Sequence, residues 1–454
     1  MSTREGPPEF YVSEMAIENF KIHRKSGRIV FKPITLIIGP NSSGKTALFQ
    51  PLLMLKQSFE TPTAIGPIVL NGDIVNLGSF DDIVTNHDLK KAIRVALVVE
   101  RAPTRKERHS AQITLDLTLA YDAKRRRMYL PEVIVTDKDA GVRVRVIEGK
   151  MIVMKGRKVL LRSVHTDPNV LSSLRGLTLY GVFTMLFREA LPGQGRTAGV
   201  SSMFVPRKTP TPADVDDILK ASSAVSMLSS ALSSLDYVGP LRDYPQRYYG
   251  ISGERFHSVG RRGEKAIEIV YERRHDYKDG ITSELAKWLG KLGVAKTIRF
   301  KETGKGLYSL VLSDPVTGAR VNIVDVGFGV SQIVPMIVQT CLMDENTVAI
   351  LEQPEIHLHP LGQMVFADLI VEAARRGKRF IVESHSEHVL LRIQRRIAEG
   401  ILPSDSVAVY FLGHKRRVAL RRIEISPSGQ LKDLPPGFMD ERLEEAYRIA
   451  SVQK

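Results

Sequence analysis

Eight contiguous residues, Gly39-Pro40-Asn41-Ser42-Ser43-Gly44-Lys45-Thr46, fill every position of a G-x-x-x-x-G-K-[ST] spacing. That combination suits phosphate chemistry. The glycines let the chain wrap its N–H groups round a phosphate, the lysine reaches the outer phosphates, and the threonine hydroxyl ligates Mg2+. The apolar run 34–38 precedes the motif, and Leu48, Leu52, Leu53 and Leu55 follow it at helical spacing. A helix N-terminus therefore adds partial positive charge. A glycine turn that merely caps a helix is the plain alternative. Strand, loop and helix nevertheless all fall where phosphate binding requires them.

Two further segments end apolar strands in polar groups. In Val348-Ala349-Ile350-Leu351-Glu352-Gln353-Pro354-Glu355, acids sit at the carboxyl edge of a parallel strand, where phosphates also bind. This resembles a Walker B strand, with Glu352 holding Mg2+ directly or through water. In Phe380-Ile381-Val382-Glu383-Ser384-His385, the histidine is placed to touch a γ-phosphate or its attacking water. Taken alone, a histidine after a strand is more often structural.

The elements that must position these residues can be read coarsely. Period-two patterns from about 92 to 167 indicate an antiparallel β lobe, with basic clusters Arg105-Lys106-Arg108, Lys124 to Arg127 and Lys155-Arg157-Lys158 at its turns. Helical stretches are expected over 169–191 and 213–235, separated by a Gly/Pro/Thr-rich loop at 192–211, and another over 265–293. Short apolar strands at 347–351, 379–382 and 407–411 alternate with helical patterns, which implies a mostly parallel sheet. The expected division is 1–91 and 236–454 as two parts of one phosphate-loop core, with the β lobe at 92–167 and a helical lobe at 168–235 inserted between them.

Composition narrows the partners. With 454 residues the chain can bury a large core. A net charge of +15 favours acidic partners such as DNA or RNA, although solvated basic faces or an acidic protein would account for it equally well. The late group Lys415-Arg416-Arg417-Arg421-Arg422 belongs to the same reading. One cysteine, Cys341, allows no internal disulfide, and apolar runs stop far short of the roughly 20 residues a membrane helix needs. A cytoplasmic protein without membrane contact is expected. Neither H-E-x-x-H, paired cysteines, a G-x-S-x-G elbow nor an N-K-x-D guanine motif is present, which argues against zinc, a serine hydrolase and a GTPase.

Taken in order, the phosphate loop, a long insertion, Asp325-Val326-Gly327-Phe328-Gly329-Val330-Ser331-Gln332, then Glu352 to Pro360 and Ser384-His385-Ser386 resemble the RecF/OLD-like branch of bacterial ABC ATPases. The closest resemblance is to members without a nuclease domain, which also carry Gly239-Pro240-Leu241-Arg242 and a tail like Pro435-Pro436-Gly437-Phe438. The resemblance implies an α/β P-loop NTPase: an ABC-type ATPase head with an inserted antiparallel β lobe and a helical lobe. It implies ATP and Mg2+ sandwiched in a homodimer, with Gly327, Gly329, Ser331 and Gln332 facing the partner's phosphate loop. It also implies a setting in phage defence or DNA repair and a separately encoded effector.

Two departures from that pattern matter. Gly327 stands where the signature serine is usual, which leaves Ser331 or backbone N–H groups as donors. Gln353 stands where the catalytic glutamate is usual, and an amide cannot take a proton from water. Hydrolysis would then rely on Glu355 or Glu352 polarising the water, or on positioning alone, and would be slow. The alternative is an ATP-gated platform that binds nucleic acid or an effector without hydrolysis.

Overall fold

Ile34–Ile38 is buried at every residue, and so are Val348–Glu352 and Val407–Leu412. Continuous apolar runs of this kind belong to strands covered on both faces. The computed structural model places them in one seven-stranded sheet. Its order is Leu235–Val238, Val348–Glu352, Arg379–Ser384, Ile34–Ile38, Val407–Leu412, Leu420–Ile425 and Leu431–Lys432. The structure describes residues 9–61, 67–102, 111–147, 150–162, 212–274, 280–304, 306–413 and 420–435.

Within this sheet Val348–Glu352, Arg379–Ser384, Ile34–Ile38 and Val407–Leu412 pair in parallel, and the last two strands are antiparallel. Parallel neighbours need crossover connections. Helix Pro360–Ala374 supplies one, and Glu387–Ala398 supplies the next. The first starts with proline at a position where no N–H is needed, and the second is capped by Ser386, whose hydroxyl accepts the Val389 N–H at 3.1 Å. Arg392 and Arg396 on the second helix both bond Asp368 on the first, at 2.7 Å each.

Contacts divide the chain into two compact units, 1–30 with 46–235 and 31–45 with 236–454. The second contains the parallel sheet and a four-stranded antiparallel sheet formed by Tyr249–Gly250, Thr297–Gly304, Leu307–Ser313 and Arg320–Asn322. Its core includes Trp288, Phe366, Phe380 and Tyr308, all almost fully enclosed. Where one helical stretch was expected over 265–293, helices Ala266–Glu272 and Ile281–Lys291 are present, with Gly280 in the left-handed region before the second.

The first unit is built on a nine-stranded antiparallel sheet. The strands expected as a separate lobe at 92–167 are continued by Phe10–Phe20, whose residues 10–18 pair with 94–101 across one register shift. Helix Pro212–Ser233 packs on this sheet, with Ala224, Val225, Leu228 and Leu232 fully buried. Lys155, read as part of a basic cluster, is tied to Asp217 of that helix at 2.8 Å, and Lys158 pairs with Asp214. The helix expected over 169–191, the loop at 192–211, Arg105 to Arg108, Lys415 to Arg417 and Pro436 to Phe438 lie outside the described residues. No helix among the described residues is long and apolar enough to cross a membrane.

Candidate functional site: a phosphate loop among enclosed acids

The phosphate loop leaves the end of Ile34–Ile38 through Gly39, whose φ is +155°. A Cβ there would lie 2.3 Å from the Leu412 carbonyl oxygen, so only glycine fits. Ser42 and Gly44 also take positive φ, +59° and +90°, which winds the chain tightly before helix Lys45–Glu60 begins. Pro40, Asn41 and Ser42 form the outer part of the loop, whereas Ser43 and Lys45 are buried. Thr46 follows Lys45 in the first helical turn.

Register brings two acids to the same edge. Glu352 lies opposite Glu383, Glu383 opposite Ile37, and Ser384 opposite Ile38 at the mouth of the loop. Lys45 Nζ donates to the Pro40 carbonyl at 2.8 Å and lies 3.8 Å from Glu383 Oε1. Burial pulls the Lys45 ammonium below its ordinary range, opposed by Glu383 and then Glu355. Neither Glu383 nor its pairing with Lys45 was singled out in the sequence. The signal was present, since an acid precedes Ser384 in the same strand, but which strand adjoins the loop is not written locally.

Glu352 accepts the Tyr237 hydroxyl at 2.7 Å, and Arg242 Nη2 donates to the main-chain carbonyls of Glu352 at 2.6 Å and Gln353 at 3.3 Å. Burial pushes the Glu352 carboxyl up to about 7, with the Tyr237 hydrogen bond opposing it. Burial likewise pulls the Arg242 guanidinium down to about 10, with Glu355 and Glu352 resisting. Tyr237 and Arg242 come from a segment more than a hundred residues earlier; the sequence marked Arg242 only as the end of Gly239-Pro240-Leu241-Arg242, without a role, and gave no role to Tyr237.

Gln353 has φ +43°, an unusual conformation for a residue with a side chain. Its N–H donates to the Glu383 carbonyl at 2.8 Å, and with the Arg242 bracket this holds the turn after the strand. Glu355 Oε1 accepts the His385 N–H at 2.5 Å. Burial raises the Glu355 carboxyl, while burial and then Lys45 lower the His385 imidazole and keep it neutral near pH 7.

Ser43 Oγ, Glu355 Oε2, His385 Nε2 and Arg242 Nε and Nη1 are enclosed and have no hydrogen-bond partner among the described residues. An unpaired enclosed polar atom costs about 1–3 kcal/mol, so several along one sheet edge fit a polar ligand that satisfies them. Among the described residues no group of three or more His, Cys, Asp or Glu converges as a metal cage.

The signature-like segment is differently placed. Gly327 precedes helix Phe328–Leu342, and a Cβ on it would meet nothing within 4 Å. Gly329 packs so closely that a Cβ would lie 2.6 Å from the His357 carbonyl oxygen. Ser331 and Gln332 are buried in the same chain, 6% and 2% exposed. Of this segment, therefore, Gly327 is exposed, and Ser331 lines a cavity with Asp243, Tyr244 and Tyr249.

A family model for the AAA ATPase domain matches residues 11–141 and 256–390, more than half of the 454 residues. The chain belongs to the AAA ATPase domain family. The matched stretches of this AAA ATPase hold the phosphate loop, the signature-like segment, Glu352 to Glu355 and His385, while Tyr237 and Arg242 lie between them.

Among solved structures the AAA ATPase is similar to an SMC head bound to the C-winged helix domain of ScpA, at 11% identity and TM-score 0.44, covering 91% of this chain and 98% of that one. It is similar to the SMC head domain from Thermotoga maritima, at 11% identity and TM-score 0.38, covering 92% and 99%. A third is an Smc head domain with an extended coiled coil bound to the C-terminal domain of ScpA derived from Pyrococcus furiosus, at 12% identity and TM-score 0.39, covering 98% and 100%. No curated protein matches in sequence.

Proposed function

We propose that this AAA ATPase binds ATP with Mg2+ through Gly39 to Thr46 and Glu352, closes a homodimer round the nucleotide, and hydrolyses it slowly to control nucleic acid or a separately encoded effector. The observation that carries this reading is the gathering of buried Lys45 and Glu352 with half-buried Glu355 and His385 along one sheet edge, with enclosed polar atoms there left unpaired. Lys45 and the loop N–H groups hold the phosphates, and Thr46 with Glu352 holds the metal. The metal would supply charge stabilisation for phosphoryl transfer. His385, being neutral, can accept from the attacking water or donate to a phosphate oxygen.

Gln353 favours a second reading. Without a carboxylate at that position, the chain is an ATP-gated clamp that closes on ATP and opens by exchange. The sequence resemblance to RecF/OLD-like ATPases supports either reading in a defence or repair setting, with the basic residues engaging DNA or RNA. Phosphate release should be compared for wild type, Lys45→Ala and Gln353→Glu. Slow release by wild type, abolished in Lys45→Ala and raised in Gln353→Glu, supports the ATPase. No release by wild type with a gain in Gln353→Glu supports the clamp. Gel shifts over a salt series test nucleic-acid contact, because phosphate neutralisation makes binding weaken steeply with salt.

A further inference from the structure

A phosphate loop depends on its lysine, and here that ammonium is already engaged. Lys45 Nζ donates to the Pro40 carbonyl at 2.8 Å and faces Glu383 at 3.8 Å, with each of these two side chains only 3% exposed. The pairing is set by the sheet. Glu383 lies opposite Ile37, two residues before the loop, and opposite Glu352 on its other side.

Negative charge is crowded around this ammonium. Glu383 and Glu355 both act on Lys45, and Glu383 also acts on Glu352. A phosphate tail that takes up Lys45 adds charge of the same sign to the enclosure and draws the ammonium away from Glu383. Like charges held close together in a poorly screened interior repel one another. The ion pair therefore opposes the ligand for which the loop is shaped.

We propose that Glu383 is a resident counter-ion of the phosphate loop: it positions Lys45 against the Pro40 carbonyl and competes with nucleoside di- and triphosphates for the ammonium, which keeps intrinsic affinity low and release fast. This rests on the nucleotide-binding reading above. The substitution Glu383→Gln preserves shape and removes the charge. Binding of ADP and ATP to the full chain is measured by isothermal titration, once with Mg2+ and once with EDTA.

Glu383→Gln should bind both nucleotides about tenfold tighter than wild type in both conditions, a gain that a damaged fold does not give. Binding by Glu383→Gln where wild type shows none supports the same conclusion. Unchanged or weaker binding, beside saturable binding by wild type, overturns the counter-ion role. A loss seen only with Mg2+ overturns it too, by assigning Glu383 to the metal. No heat from either protein, both folded, removes the nucleotide-binding reading and this inference with it.

Discussion

Tyr237 and Glu352 share a 2.7 Å hydrogen bond inside the protein, and it bears on the protonation of the carboxyl we propose as the metal's ligand. Burial pushes Glu352 up to about 7, and the phenol opposes that rise by donating to the ionised form. A metal ion takes the ionised form only. Mg2+-dependent nucleotide affinity should therefore climb as pH rises through about 7 and level off above it. Tyr237→Phe removes the donor, so its climb should move to higher pH. Fluorescence titration with MgATP over a pH series checks both, and coincident profiles for the two proteins would refute the link.

Arg242 is 6% exposed and spans the carbonyls of Glu352 and Gln353. Lysine has no planar fork and cannot bracket two acceptors in the same way. Arg242→Lys should cost about 1.5–3 kcal/mol of stability, the range for hydrogen bonds to a charged group. It should also loosen the positive-φ turn at Gln353. Urea denaturation measures the first effect; hydrogen exchange at the Gln353 amide measures the second. A loss below about 0.5 kcal/mol would mean that the bracket is dispensable.

Three glycines give a graded test of the loop and the signature-like helix. Gly39→Ala places a Cβ 2.3 Å from the Leu412 oxygen, and Gly329→Ala places one 2.6 Å from the His357 oxygen. Each should cost about 1–3 kcal/mol, and Gly39→Ala should abolish nucleotide binding. Gly327→Ala meets open space and has ordinary φ, so it should fold like wild type. Melting curves rank the three. If Gly327→Ala still weakens ATP-dependent dimerisation, measured by light scattering, the exposed Gly327 is engaged by the partner copy.

The phosphate loop was legible from eight residues because its geometry is local: glycines, lysine and threonine act through backbone torsions and a helix start within one turn of chain. The acid-ended strand and its parallel partners were equally readable, since burial on both faces leaves an unbroken apolar run. The extent of the antiparallel sheet was less so, because strand pairing between Phe10–Phe20 and Ile93–Arg101 joins residues far apart in the chain. Only the tertiary structure decided that the Glu383 strand lies between the loop and Glu352, that Tyr237 and Arg242 reach the same edge, and that Ser331 and Gln332 are enclosed. Those facts depend on strand order and packing, which are set by the summed burial of the whole sheet rather than by any contiguous stretch of residues.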